Sequence, residues 1–255
     1  MLLQTYNGQM IPRIHCPQGL APGAHVALPE TAGHHVARVL RFQEGDALTL
    51  FDGRGGEWAA TISRIRKDEV HADLKRFDPV ERELPFAVTL VQGVAAADKM
   101  DWIIQKCVEL GVAAIRPVAA KRSVIRLSGE RMERRVAHWQ AIAAAACEQC
   151  GRNRVPQVAP IVDLPQYLGE PSGDNGGGNE LRLLALPTET RRLRDLPRPV
   201  GGISLLVGPE GGFEEGELLA ARAVGCEGVN LGPRVLRTET AGVAAIAGMM
   251  ALWGD

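Results

Sequence analysis

The sequence predicts an α/β protein in which a small β-barrel domain precedes a parallel sheet with helices on both faces. Three observations predict this fold class. Residues 10–82 carry short β-rich patterns separated by Gly and Asp turns. A charged, proline-bounded linker follows, from Asp78 to Pro85. Beyond it, apolar strands alternate with helical patterns, which is typical of a parallel sheet. We therefore predict domains at residues 10–82 and 83–255.

The first domain is expected to contain one helix and at least four strands. The helix is predicted over Thr31–Val39. The strands are predicted at Ala24–Leu28, Ala47–Phe51, Glu57–Ile65 and Val70–Phe77. Residues 1–9 are interpreted as an N-terminal extension, because the first domain is expected to begin at Met10-Ile-Pro-Arg.

The second domain is predicted to alternate strands and helices to its end. Asp98 can cap a helix whose apolar stripe runs from Met100 to Val108, and Gly111 ends it. Two further helices are expected at Arg131–Gln149 and Ala241–Trp253. The predicted strands are Phe86–Gln92, Ala113–Val118, Leu181–Leu186, Ile203–Val207 and Gly228–Leu231. The Gly-rich segment 169–180 is predicted to be a flexible surface insert.

Composition indicates a soluble globular protein. The 255 residues are 45% hydrophobic and 23% charged. No apolar run is long enough to span a membrane, and no signal-peptide pattern opens the chain. The five cysteines lack the spacing of a zinc site. We therefore expect a cytoplasmic protein with no membrane association and no metal.

Two glycine-rich segments near the end of the chain predict a ligand site. Leu205–Phe213 and Leu231–Ala241 each begin as an apolar strand and turn into a helix. Both loops would lie at the carboxyl edge of the sheet, where ligands bind. The first loop carries Glu210 and no Lys or Arg, so it favours a neutral or cationic ligand over a polyphosphate. An adenosine bearing a sulfonium fits this description. The alternative is a plain strand–turn–helix corner.

These loops and other segments resemble one family over nearly the whole chain. The segments are Pro12–Ile14, His34–Arg41, Phe51–Gly53, Lys99–Asp101, Ile104–Lys106, Glu109–Val112, Ala145–Pro156, Leu205–Phe213 and Leu231–Ala241. Together they resemble SPOUT methyltransferases, and in detail the ribosomal RNA small subunit methyltransferase E family.

The resemblance implies a fold and an activity that patterns alone do not give. It implies that the first domain is a PUA-like RNA-binding domain and that the second ends in a trefoil knot. It implies S-adenosyl-L-methionine as cofactor and methylation of N3 of one uridine in 16S rRNA. It also implies a homodimer acting on rRNA, with the 30S subunit as the expected context.

The candidate cofactor residues lie on three loops that the knot would bring together. Backbone groups are expected to hold the adenine and ribose, and Glu210 to offset the sulfonium charge or bond a hydroxyl. For the leucines, the alternative is core packing. The candidates are Leu186, Pro187, Val207, Gly208, Pro209, Glu210, Gly211, Gly212, Leu231, Gly232, Val235, Leu236, Thr240 and Ala241.

Arg237 and Glu239 are the candidate catalytic residues. A guanidinium beside O2 or O4 of uracil would favour the deprotonated base. Glu239 is expected to orient Arg237, or alternatively to act as the base. A salt bridge at the start of a helix is the non-catalytic alternative for this pair.

A local excess of basic residues suggests an RNA-facing surface on a chain of net charge −1. Eight Lys or Arg, Arg126 among them, stand against three acids between Lys121 and Arg154. The alternative is a solvated helix face. The RNA-binding candidates are Arg13, Arg38, Arg41, Lys99, Arg122, Gln149, Arg152 and Arg154.

Other functions remain open at this point. A non-catalytic RNA-binding factor would show damaged cofactor loops, and both loops are intact. A nucleotide enzyme with a doubly wound sheet would show a Gly-rich phosphate motif after an early strand, and none is present. The nearest alternative is a SPOUT enzyme that methylates another base or a ribose 2′-oxygen.

Overall fold

The computed structural model describes residues 5–6, 9–67, 69–123, 129–171 and 180–254. The chain divides into two compact units: unit 1 is Met1–Glu83 with Cys147–Val155, and unit 2 is Leu84–Ala146 with Pro156–Asp255. Arg126 and much of the predicted extension and insert lie outside the described residues.

Unit 1 is built on a five-stranded sheet. In chain order its elements are β1 (Thr5–Tyr6), β2 (Gln9–Met10), β3 (Arg13–His15), β4 (His25–Ala27), α1 (Glu30–His34), a π-helical turn (His35–Val39), β5 (Ala47–Phe51), β6 (Glu57–Arg66) and β7 (Glu69–Asp78). The sheet order is β3-β5-β6-β7-β4, and only the β3–β5 pair is parallel. β1 and β2 pair with each other, so part of the predicted extension has β structure.

The core of unit 1 follows the alternation seen in its sequence. In β7, Val70, Ala72 and Leu74 are buried while their neighbours are not. Successive strand residues point to opposite faces, so these three pack on the same side. Val36 of the helical segment is fully buried in the same cluster. The alternating pattern therefore marks the inner face of the sheet.

The segment 147–155 completes unit 1 through polar contacts. Arg13 Nη1 lies 2.5 Å from Glu57 Oε2, and Arg13 Nη2 donates to Asn153 Oδ1 over 2.6 Å. Arg82 Nη1 also donates to Glu57 Oε2, and to the carbonyl of Gly151 over 2.8 Å. The side chain of Glu57 is 5% exposed. Two guanidinium groups thus neutralise one buried carboxylate.

Glu57→Gln is expected to destabilise unit 1 by about 3 kcal/mol, because it leaves Arg13 buried without its anion. Burial raises the pKa of Glu57, but the hydrogen bonds and charges of Arg13 and Arg82 outweigh it, so the net pKa lies below the usual 4.5. This stabilisation is therefore present at neutral pH and lost as the pH falls from 4.5 through the lowered pKa. Amide hydrogen exchange of β6 and β7 across that pH range measures it.

Glu69→Gln is the matched control, since Glu69 pairs with His71 on the surface. It should alter the protection of β6 and β7 very little. Equal protection in the two variants would contradict the role assigned to Glu57.

Unit 2 is built on a parallel sheet. Its elements are β8 (Val88–Gly93), α2 (Ala97–Glu109), β9 (Ala114–Ala119), α3 (Glu130–Cys150), β10 (Gln157–Val158), β11 (Val162–Asp163), α4 (Leu164–Gly169), β12 (Leu181–Ala185), a 3₁₀ turn (Leu193–Asp195), β13 (Ile203–Val207), α5 (Glu215–Ala223), β14 (Glu227–Val229) and α6 (Thr238–Trp253). The order is β10-β9-β8-β13-β12-β14, with β11 also paired to β9. The last four residues of α3 group with unit 1.

The central strands are buried along their whole length. Every residue of β8 and of β13 is buried. Strands that are mostly apolar and buried on both sides are typical of a parallel sheet that is covered on both faces. The predicted α/β class is therefore confirmed, with its order and register now defined.

Two details of the sequence prediction need correction. The N-cap of α2 is Ala96, and Asp98 lies in the first turn without capping it. α6 begins at Thr238, three residues before the predicted start at Ala241, because its first turn is polar and lacks the apolar pattern.

The expected knot concerns the threading of the chain, which strand pairing does not test, so it stays a prediction. Among the described helices, none combines the length and the apolar character needed to cross a membrane.

Candidate active site

A cavity of about 440 Å³ opens in unit 2 where β12 and β13 end and α6 begins. This is the carboxyl edge of the parallel sheet, where such folds bind ligands. The lining residues come from the loops after both strands and from the start of α2 and α6. They are Lys99, Ala185, Leu186, Pro187, Val207, Gly208, Pro209, Glu210, Gly212, Phe213, Val235, Leu236, Arg237, Thr238, Glu239 and Ala241.

Most of the candidate cofactor residues and both catalytic candidates line this cavity. Four cofactor candidates are not among its lining residues: Gly211, Leu231, Gly232 and Thr240. Gly211 faces Arg122 instead, since a Cβ on Gly211 would lie 2.8 Å from Arg122 Cβ. Arg122 Nη1 also donates to the carbonyl of Gly211 over 3.2 Å.

The loop after β13 lies directly against the end of β8. A Cβ added to Gly93 would lie 2.5 Å from Pro209 Cδ and 2.6 Å from Pro209 N. A Cβ added to Gly208 would likewise lie 3.2 Å from the Cα of Gly212. Glycine is therefore required where β8 meets this loop, since no side chain fits between the two backbones.

A buried glutamine on β8 connects the start of α6 to the loop after β13. Gln92 is fully buried, and its Nε2 donates to Thr238 Oγ1 over 2.9 Å. Thr238 Oγ1 donates in turn to the carbonyl of Gly208 over 2.6 Å. No role was predicted for Gln92 or Thr238, although a single amide at the end of the mostly apolar segment Phe86–Gln92 was a usable signal.

Asn230 connects the loop after β12 to the loop that leads into α6. Its Nδ2 donates to the carbonyls of Pro187 and Glu189, over 2.8 and 2.9 Å, and its Oδ1 accepts from the backbone N of Gly232 over 2.6 Å. The candidate residues Leu186 and Pro187 are thereby held against the start of the Leu231–Ala241 segment. Asn230 was also missed, although Asn beside a Gly loop commonly bonds nearby backbone.

Four charged side chains line the cavity: Lys99, Glu210, Arg237 and Glu239. Lys99 Nζ lies 3.2 Å from Glu210 Oε1 and 3.6 Å from Glu239 Oε2. Glu210 Oε1 also accepts from the backbone N of Ala96 over 3.0 Å. Burial raises the pKa of Glu210, but the Ala96 hydrogen bond and the Lys99 ammonium outweigh burial and lower it.

The ion pairs differ from those expected for the catalytic candidates. Glu239 pairs with Lys99, whereas an orienting contact to Arg237 was predicted. Arg237 is the N-cap residue of α6, is exposed, and forms no ion pair with any described residue. Its guanidinium is therefore available to a ligand in the cavity. Lys99, predicted as an RNA contact, lies at the cavity between two carboxylates.

The remaining RNA candidates divide into buried and exposed groups. Arg13 and Arg152 have side chains only 12% and 5% exposed, and they pair with Glu57 and Glu83. These two arginines stabilise unit 1 and present little surface to a nucleic acid. Exposed candidates in unit 1 are Arg38, Arg41, Gln149 and Arg154, and Arg122 is exposed in unit 2.

Within the described part of the chain, no group of three or more His, Cys, Asp or Glu side chains is arranged to hold a metal ion.

Parts of both units match known protein families. The RNA methyltransferase domain family matches residues 82–250, and the RNA methyltransferase PUA domain family matches residues 28–75. A protein of Buchnera aphidicola (subsp. Schizaphis graminum), named ribosomal RNA small subunit methyltransferase E, is 30% identical over 96% of this chain and 98% of its own length.

Two solved structures are similar over almost the full chain. One is a ribosomal RNA small subunit methyltransferase E from Neisseria gonorrhoeae bound to S-adenosyl methionine, with a TM-score of 0.88 and 39% identity, covering 96% of this chain and 99% of that one. The other is a methyltransferase from Legionella pneumophila, described as putative, in complex with the same cofactor. It has a TM-score of 0.90 and 36% identity, and the match covers 97% of this chain and 100% of that one.

Proposed function

The chain belongs to the ribosomal RNA small subunit methyltransferase E family, and from this we propose that it transfers a methyl group from S-adenosylmethionine to N3 of one uridine in 16S rRNA. The observation that carries the proposal is the cavity at the carboxyl edge of the parallel sheet. It is the place where a ligand of this fold is expected. The loop that carries Glu210 has no Lys or Arg, which favours a neutral or cationic ligand such as a sulfonium-bearing adenosine.

The residues present fit the cofactor. Leu186, Val207, Phe213 and Leu236 give the cavity apolar surface for an adenine ring, and the loop backbones offer N–H and C=O groups to its edge. Its charged side chains are two carboxylates and two cations, so it does not resemble a phosphate cradle. A ligand of low net charge suits this balance.

Methylation at N3 requires that the uracil lose its N3 proton and that the N3 lone pair be aligned with the methyl group. When bound, S-adenosylmethionine supplies an electrophilic methyl group. Arg237, which lines the cavity, would stabilise the negative charge that spreads onto O2 and O4 as N3 loses its proton. The N3 lone pair then forms the new bond while the carbon–sulfur electrons remain on sulfur. Alignment by the three loops supplies much of the remaining rate.

RNA is proposed to reach the cavity through contacts from exposed basic side chains. Arg38, Arg41, Arg122 and Arg154 would contact phosphates, which predicts an affinity that falls with salt. The target base would have to leave its stack to enter the cavity. We propose the 30S particle as the substrate context, a homodimer as the active form and the cytoplasm as its location.

The proposed function is tested by mapping the missing modification. Ribosomal RNA from cells that lack the gene should lose one N3-methyluridine in 16S rRNA. Purified protein with S-adenosylmethionine should restore it on 30S particles, and bare 16S rRNA shows whether assembly is required. A methyl group found on a ribose or on another base would replace the proposal with its nearest alternative, and calorimetry without cofactor uptake would overturn both.

Asn230→Ala is expected to weaken cofactor binding by about tenfold or more, since the three hydrogen bonds that join the loops are each worth about 1 kcal/mol. Its measurement is the calorimetric dissociation constant for S-adenosylmethionine. The global unfolding free energy should change less than the affinity, because Asn230 is only half-buried.

Asn230→Asp is the matched variant. It keeps the oxygen that accepts from Gly232 and loses both donated bonds. We expect it to weaken binding as much as alanine does, since a carboxylate would face two carbonyls. Wild-type affinity in both variants would show that the loops hold their positions without Asn230.

A further inference from the structure

Four exposed cations of unit 1 form no ion pair with any residue that the structure describes. They are Arg41, Arg64, Arg66 and Lys67, and we call them the basic end of unit 1. Other exposed cations of the same unit are each paired with a carboxylate; these are Arg54, Lys75, Arg76 and Arg154. The charge of the basic end is therefore available to a ligand.

The segment that follows Arg41 connects it to the β6–β7 hairpin, which carries the other three cations. Gly45 N donates to the carbonyl of Ile62 over 2.8 Å. Phe42 and Ile65 pack against the same core cluster. Two separate stretches of chain thus bring their cations to one end of the sheet.

Two members of the basic end have a left-handed backbone. Arg41 has φ 57° and Lys67 has φ 55°, and no other non-glycine residue in the described ranges has a positive φ. Glycine adopts this conformation without steric cost, whereas a residue with a side chain is strained in it. Neither side chain forms a hydrogen bond or an ion pair with a described residue, so no polar contact within the fold offsets the strain.

The chain before Arg41 directs apolar side chains outward as well. Leu40 N donates to the carbonyl of His35 over 2.9 Å, which closes the π-helical turn. Val36 in this turn is buried, whereas Val39 and Leu40 are 59% and 37% exposed. An exposed apolar pair beside cations fits the wide, shallow minor groove of an RNA double helix, which presents riboses between its phosphates.

Carboxylates at the same end are bound to other groups. Glu44 Oε1 and Asp46 Oδ2 each accept a hydrogen bond from a backbone N–H, over 3.0 and 2.7 Å. Glu69 Oε1 lies 2.9 Å from His71 Nε2. These contacts leave the guanidinium and ammonium groups of the basic end without a carboxylate partner.

We infer that the basic end of unit 1 binds the phosphate backbone of a double-helical segment of rRNA. The inference rests on the proposed function for the identity of that RNA. It assigns a role to three hairpin cations, Arg64, Arg66 and Lys67, that the sequence did not single out. Phosphate contacts hold an RNA in position without reading its sequence. The left-handed positions then carry long cationic side chains because the ligand needs them.

The first test removes the hairpin charges from the full chain. Binding to a short RNA duplex and to 30S particles is measured by fluorescence anisotropy over a range of salt concentrations. In the triple variant Arg64→Gln/Arg66→Gln/Lys67→Gln we expect affinity to fall by about tenfold or more, and the slope of log K against log salt to fall by about 2–3. Lys75→Gln is the matched control, because Lys75 is exposed on β7 and pairs with Asp73, and it should bind as wild type does.

The second test separates RNA binding from folding. Arg41→Gly and Lys67→Gly remove the backbone strain together with the cation. Their Tm should stay at the wild-type value or rise by up to about 4 °C. Their affinity for the RNA duplex should fall by about threefold or more, as expected when one phosphate contact is lost. A lower Tm in both variants would show that these side chains serve the fold, and it would overturn the inference.

The remaining outcomes distinguish the claims. Wild-type affinity and salt slope in the triple variant overturn the inference, whatever the activity. Phosphatidylglycerol vesicles test the other anionic surface, and a loss of vesicle binding without a loss of RNA binding overturns it too. Wild-type protein that transfers no methyl group to 30S particles overturns the proposed function, while the duplex titrations still decide whether the basic end binds RNA.

Discussion

Arg237→Ala is expected to lower the rate of methyl transfer by about 10²–10³-fold, the usual loss when one group that stabilises a developing anion is removed. The affinity for S-adenosylmethionine should stay within a few fold of wild type. Arg237 is exposed at the cavity and forms no ion pair with the described residues, so its removal leaves no buried charge without a partner. Single-turnover transfer to 30S particles and calorimetry of the cofactor measure the two effects separately.

Two variants control this result. Arg234→Ala removes an exposed arginine from the same segment, one that does not line the cavity, and it should retain wild-type transfer. Arg237→Lys keeps the charge but loses the planar fork, so we expect partial activity. Near-normal transfer by Arg237→Ala would remove Arg237 from the chemistry and leave Glu239 as the main candidate.

Gly93→Ala is expected to weaken cofactor binding strongly. The new methyl group would lie 2.5 Å from Pro209 Cδ and 2.6 Å from Pro209 N. These atoms belong to a rigid ring and its backbone, so the loop that carries Gly208 and Glu210 must move. We expect affinity to fall by about a hundredfold or more and unfolding free energy to fall by about 1–3 kcal/mol, the usual cost of overpacking.

Gly216→Ala is the matched glycine control. Gly216 lies in α5, and a Cβ there would meet no atom within 4 Å. It should bind cofactor normally and be up to about 1 kcal/mol more stable, since alanine favours a helix. Tight binding by Gly93→Ala would show that the loop after β13 tolerates displacement and that its position against β8 is not needed.

The sequence predicted the elements whose pattern lies within a few residues. β13 was predicted at its observed bounds because Ile203–Val207, which is apolar except for Ser204, lies between glycines. β3 was not recognised, because a three-residue strand has too few positions to show a period. The first turn of α6 was missed for a related reason: Thr238, Glu239 and Thr240 are polar and carry no helical stripe.

The candidate site was predictable where its residues are neighbours in sequence. The two glycine-rich segments supplied most of the cavity lining, because each is a contiguous loop. The contacts that fix these loops join distant residues, such as Gln92 and Thr238, 146 positions apart. Lys99 shows the same difficulty, since its partners Glu210 and Glu239 follow more than a hundred residues later. No local pattern indicates such pairings.

Unit 1 is built from two separate stretches of the chain, and this has a consequence for biosynthesis. Its sheet strands are complete by Asp78, but Arg13 still needs Asn153, and His15 N still needs the carboxylate of Glu148. A nascent chain has to lengthen to Val155 before those groups can be satisfied. The amino-terminal unit therefore completes its fold only after much of the following unit has been translated. A fragment that ends at Glu83 would keep the strands but lack the hydrogen bonds to Glu148 and Asn153.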